Sequence, residues 1–114
     1  MKWIKVLEPA ELKSENFMTR AVRKGKWFCI MKYNEKYYVT QLSCPHAGAD
    51  LSAGWCKDGK LICPHHRYSY CLETGRGAPG QGDYINTFPV DLRLDGLYVG
   101  VTERWQVFKK LFRL

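Results

Sequence analysis

The sequence predicts an all-β fold of two layers, and three observations carry that prediction. Short runs of β-branched and aromatic residues recur along the chain, turn dipeptides separate them, and only two stretches carry helical signals. With 114 residues, 46% of them hydrophobic, the chain forms a single domain that buries roughly two-thirds of its unfolded surface. A domain of that size has a core of its own. A metal site in it serves chemistry rather than folding.

Taken in order, Pro9 to Lys13 forms one helical turn. Trp27–Met31 and Lys36–Thr40 flank Tyr33-Asn34-Glu35 and read as a hairpin. Asp58-Gly59 is a strong turn signal leading into Lys60-Leu61-Ile62. Gly75 to Gly82, with four glycines and Pro79, reads as a loop because strand signals resume after it. Asn86–Leu94 and Leu97–Val101 flank a second turn at Asp95-Gly96. The alternation of Val90, Leu92 and Leu94 predicts one buried face for that strand.

The end of the chain, Thr102–Leu114, sets Trp105, Phe108, Leu111 and Phe112 on one helical stripe. Glu103 early and Lys109, Lys110 and Arg113 late complement the helix dipole. A short C-terminal helix is therefore expected, packed on its own domain or docked on a partner or membrane surface.

Chemistry concentrates in two clusters, Cys44-Pro45-His46 and Cys63-Pro64-His65-His66, with sixteen residues between them. Each offers one thiolate and one imidazole at a spacing that lets both turn toward a single centre. Thiolates suit iron–sulfur clusters and zinc, and imidazole suits zinc, copper and iron. Cys44, His46, Cys63 and His66 would complete a zinc tetrahedron. Zinc fingers and ribbons, however, pair Cys with Cys in each knuckle, whereas each half here is mixed. Mixed halves suit a binuclear centre in which one iron takes both thiolates and the other both imidazoles.

The stretch CPHAGADLSAGWCKDGKLICPHHRYSYCLETGRG resembles the cluster-binding segment of Rieske proteins. The likeness is strongest to the small Rieske-type ferredoxins of ring-hydroxylating oxygenases and to the small Rieske-like subunits of assimilatory nitrite reductases. It implies a β-sandwich or barrel base with a small cluster-binding subdomain inserted at about residues 41–72, whose two loops meet at a tip closed over by 77–82. It implies one Rieske [2Fe–2S] cluster, with Cys44 and Cys63 on the inner iron and His46 and His66 on the outer one. His65 fills a variable position and has no ligand role in the pattern.

Departures from the family pattern refine the type. Ala49 and His65 stand where respiratory Rieske proteins have disulfide-forming cysteines, which implies the soluble carrier type. Tyr68 stands where a serine donates to a bridging sulfide, and Arg67 replaces a frequent glycine. Tyr70 matches a tyrosine whose hydroxyl donates to the thiolate of Cys44, and such bonds raise the potential. The resemblance gives Cys29, Cys56 and Cys71 no ligand role; buried thiols are expected, with a second ligand role or a Cys56–Cys71 disulfide as lesser alternatives.

The function implied is one-electron transfer, with no substrate turnover. Electrons would come from a flavoprotein or ferredoxin reductase and go to a terminal oxygenase or reductase. The rival readings are a structural or docking subunit of a larger enzyme such as nitrite reductase, and a zinc-stabilised interaction module.

Composition narrows the remaining classes. All three histidines lie in the metal segment, no Ser-His-Asp set is apparent, and no phosphate-binding GxxxxGK[ST] loop occurs. The amino terminus lacks a signal-peptide core and no stretch approaches a membrane span, so a cytoplasmic protein is expected. Five cysteines fit a disulfide framework poorly. The net charge of +7, from 18 basic and 11 acidic residues, suits a solvated face that keeps the chain soluble, or a surface that steers an acidic docking partner, nucleic acid or an anionic membrane. No basic and aromatic residues interleave in the manner of a nucleic-acid groove.

Overall fold

In a computed structural model, residues 1–46 and 48–102 are described; Thr102 is the last of them, so the expected helix lies outside the described residues apart from its first position. Ten strands make up about half of the described chain: β1 (Lys2–Leu7), β2 (Phe17–Arg23), β3 (Lys26–Tyr33), β4 (Lys36–Gln41), β5 (Trp55–Lys57), β6 (Lys60–Ile62), β7 (Ser69–Cys71), β8 (Thr87–Phe88), β9 (Val90–Arg93) and β10 (Gly96–Val101). Helical structure among these residues is limited to two 3-10 turns, Pro9–Glu11 and Leu51–Ala53. The first is fixed by Pro9 at its start and by the Glu11 carboxylate, which accepts from the Glu8 backbone N–H at 2.8 Å.

Three antiparallel sheets result, ordered β1-β10-β9, β2-β3-β4-β8 and β5-β6-β7. Two-residue turns set the registers. Asn34 and Glu35 both take positive φ (51° and 65°) between the paired Tyr33 and Lys36, and Asp58-Gly59 does the same between Lys57 and Lys60. That is the turn whose twist matches a hairpin.

β3 is the spine. Phe28 and Ile30 point into a core shared with Ile4, Val6, Leu97 and Val99, which joins the first two sheets face to face. Cys29 and Met31, on its other face, join Leu61, Tyr70, Leu72 and Ile85 in a second core under the small sheet. A strand buried on both faces reads as a continuous apolar run, and FCIM is that run, with Trp27 before it exposed.

Two expectations are corrected. Asn86–Leu94 is not one strand: Pro89, which cannot donate to a ladder, is the point where the chain leaves β4's sheet and joins β10's. The alternation of Val90, Leu92 and Leu94 does not give a buried face either. Val90 and Leu92 pair with buried Val99 and Leu97, but β9 is the sheet's edge. Leu92 is 57% exposed and Leu94, in the hairpin turn, is fully exposed.

Candidate metal centre

The two clusters lie on loops of the same construction. In the first, Cys44 N–H donates to Ala49 C=O (2.8 Å); in the second, Cys63 N–H donates to Tyr68 C=O (2.7 Å). Each loop therefore closes over six residues, and each has a left-handed residue at its fifth position: Gly48 (φ 70°) and Arg67 (φ 56°). His66, just before Arg67, is also left-handed (φ 59°). Left-handed backbone carries a cost of about 1–2 kcal/mol for a residue with a Cβ, so the second loop is the strained one.

Neighbouring elements hold the loops in place. Asp50 accepts from the Ser52 N–H (2.8 Å) and hydroxyl, and pairs with Arg20 of β2 at 2.5 Å, tying the first loop to the base. At Gly54 a side chain would run into the Ile62 carbonyl, one residue before Cys63, so this close approach needs glycine. The loop at 77–82 runs beside β7: Ala78 N–H donates to Ser69 C=O (3.1 Å), and the Gln81 side chain bonds both backbone groups of Ser69.

The four expected donors are brought together in two pairs. The Cys44 and Cys63 side chains are buried and face one another. The His46 and His66 rings are exposed and meet edge to face with centroids 5.5 Å apart. Burial pushes the Cys63 thiol up; the His65 backbone N–H opposes this and the neighbouring Cys44 adds to it. Two buried thiols in contact resist ionising together, and a bound cation removes that penalty by displacing the protons. Buried soft donors with surface imidazoles fit a two-iron cluster, which needs its protein ligands in pairs. Among the described residues no three His, Cys, Asp or Glu side chains converge on one metal ion.

Around the donors, Tyr70 is fully buried, with its hydroxyl 3.4 Å from Cys44 Sγ and donating to Asp83 Oδ2 at 3.0 Å. Burial, Cys44 and Asp83 all hold that hydroxyl in its protonated form. Tyr68, at the position matching the family's serine, stacks on His46 with ring centroids 4.0 Å apart and planes 16° apart. Nothing in the sequence announced that stack or the Asp83 contact, since both depend on how separate loops meet. The His65 ring contacts His66 at 5.4 Å.

The remaining thiols are in no disulfide. Cys29 is buried, but Cys56 and Cys71 are only half-buried, against expectation, because they sit on the outer strands of the small sheet. β6 separates them, and alternation turns Cys56 to the same face as Leu61 and Tyr70 and Cys71 to the opposite one. Two strand spacings are about 10 Å, beyond the roughly 7 Å between Cα atoms that a disulfide spans.

A family model of the Rieske [2Fe-2S] domain matches residues 2–89. The chain belongs to the Rieske [2Fe–2S] domain family. That family is defined by the two-iron cluster, so the cofactor of this Rieske domain is a [2Fe–2S] cluster. The chain is 30% identical over 77 residues to the 3-phenylpropionate/cinnamic acid dioxygenase ferredoxin subunit of Photorhabdus laumondii, spanning 65% of this chain and 72% of that one. It is 36% identical over 101 residues to the nitrite reductase [NAD(P)H] of Emericella nidulans, covering 70% of this chain but only 9% of that protein. In fold it is similar to the ferredoxin of carbazole 1,9a-dioxygenase from Nocardioides aromaticivorans, with a TM-score of 0.77 at 19% identity over 90% of this chain and all of that one. No helix among the described residues is long and apolar enough to cross a membrane.

Proposed function

We propose that Cys44 and Cys63 bind one iron of the [2Fe–2S] cluster and His46 and His66 the other, and that the chain is a one-electron carrier. The observation that carries this reading is the division of the donors, with thiols buried and imidazoles exposed and adjacent. When bound, the cluster supplies a one-electron couple at a potential raised by its neutral imidazole ligands. The surrounding side chains set the conditions. The second core keeps water from the two cysteines, Tyr70 sets its hydroxyl between Cys44 and Asp83, and Tyr68 orients the His46 ring. The exposed imidazoles give an electron a short exit to whatever docks against them.

The partners are part of the same proposal: a flavoprotein or ferredoxin reductase as donor and a terminal oxygenase or similar enzyme as acceptor. The dioxygenase ferredoxin relative supports this pairing. So is the assignment of residues 41–72 as the cluster-binding subdomain, and a cytoplasmic setting, in keeping with five cysteines free of disulfides. The likeness to nitrite reductase favours one second reading, a subunit of a larger oxidoreductase with a docking role.

Anaerobically purified protein tests the proposal. Two irons per chain, a reddish-brown colour and an EPR signal on reduction are expected. Colourless protein holding one zinc would contradict it. Copurification with a larger reductase in fixed stoichiometry would favour the second reading.

A further inference from the structure

The outer face of the small sheet carries a feature that cluster binding does not require. Strand alternation sends Cys56, Leu61 and Tyr70 into the core and leaves Trp55, Lys57, Lys60 and Ile62 outside. Trp55, opposite Ile62 in the ladder, stays 43% exposed. With Arg67 these residues line a groove of about 370 Å³, which holds three basic side chains against one acidic, Asp58. Among the described residues none of the three cations makes an ion pair, whereas Arg20, beside the first loop, is already neutralised by Asp50.

Arg67 makes this face more than an accident of composition. It occupies the fifth, left-handed position of the second loop, where the sister loop has Gly48. A charged side chain held at a strained backbone position, directly after His66, is a mark of use. The groove-lining Arg67 is thus one residue along the chain from His66, which is exposed.

We propose that the Trp55/Ile62 ledge with Lys57, Lys60 and Arg67 is the docking face for an acidic protein partner. An apolar centre rimmed by unpaired cations is complementary to a carboxylate-rich surface. The seat is one-sided: the partner approaches over β5 and β6 and not over the first loop. This inference rests on the electron-carrier reading for its purpose, but the surface itself can be tested separately.

The test titrates the holoprotein with deca-glutamate, following the tryptophan indole N–H resonances, in wild type and three variants. Lys57→Glu/Lys60→Glu is expected to weaken binding about tenfold, because like charges replace attraction. Arg67→Asn keeps a residue that tolerates left-handed backbone and is expected to weaken binding about threefold with no loss of thermal stability. Lys2→Glu/Lys24→Glu, which reverses another basic pair on the base, is expected to change binding less than about twofold. Salt above about 0.15 M, where the Debye length is about 8 Å, should abolish most of the binding. The inference is overturned if wild type ignores deca-glutamate, or if the Lys2/Lys24 variant loses as much affinity as the Lys57/Lys60 one. Iron content and EPR on the same samples separate the two readings. Protein without a cluster that still binds deca-glutamate sinks the carrier reading alone, and two-iron protein that does not bind sinks this inference alone.

Discussion

The Tyr70 hydroxyl stands 3.4 Å from Cys44 Sγ, yet its single proton has a nearer acceptor, Asp83 Oδ2 at 3.0 Å. In the proposed centre a thiolate on iron and a carboxylate compete for one donor. The bond to sulfur stabilises the reduced cluster, so Asp83 acts against it and holds the potential down. Tyr70→Phe should therefore lower the potential and Asp83→Asn should raise it. A hydrogen bond worth about 1 kcal/mol corresponds to roughly 40 mV for one electron. Redox titration followed by visible absorbance measures both shifts, and an unchanged potential in Asp83→Asn would show that the proton is not contested.

Tyr68 and His46 give a second prediction. Aromatic stacking is worth about 0.5–1.5 kcal/mol, and here it orients a proposed ligand ring. Tyr68→Ala should shorten the lifetime of the visible absorbance in air a few-fold while leaving the initial iron content at two per chain. An unchanged lifetime would mean that the iron alone holds His46.

Asp50 couples the first loop to acid stability. Burial raises its pKa, but the bonds from Ser52 and the Arg20 guanidinium outweigh that and hold it below the ordinary 3.8. A carboxyl depressed in the folded state adds stability above its unfolded pKa, and that stability is lost as pH falls through the folded value. Asp50→Asn, which keeps a capping oxygen but removes the charge facing Arg20, should thus lower the melting temperature at pH 7 by an amount matching about 0.5 kcal/mol. The gap to wild type should narrow below about pH 3.8. Paired melting curves across that range check it; a gap that widens in acid would reverse the sign.

The three thiols outside the centre should react in a fixed order. The hydroxyl and backbone N–H of Thr74 pull Cys71 below the ordinary 9.0. Burial pushes Cys56 up to about 11 and Cys29 up to about 12. Since the thiolate is the nucleophile, iodoacetamide should label Cys71 first, Cys56 slowly and Cys29 only after unfolding. Peptide mapping of a time course reads the order directly, and early labelling of Cys29 would contradict its buried place on β3, within the second core.

What was legible in the sequence was local. Asn34-Glu35 and Asp58-Gly59 declared their turns because two-residue hairpins demand positive φ, and spacing singled out Cys44, His46, Cys63 and His66, whose side chains the fold brings together in two pairs. What was hidden depended on contacts between distant segments. Pro89 changes sheets, which a single run of strand-forming residues does not reveal. Leu92 alternates correctly but lies on an edge that nothing among the described residues covers. Tyr68 looked like a lost serine and instead stacks on His46. Asp83 gave no signal, because only the folding of its loop against β7 brings it to Tyr70.

The central claim is the division of ligands, two cysteines on one iron and two histidines on the other, with His66 rather than His65 in the second loop. Electron–nuclear double resonance on reduced protein carrying nitrogen-15 histidine tests it most directly. Two histidine nitrogens coupled to the reduced cluster are expected, both retained in His65→Ala and one lost in His66→Ala. Loss of a nitrogen in His65→Ala, with both retained in His66→Ala, would contradict the assignment.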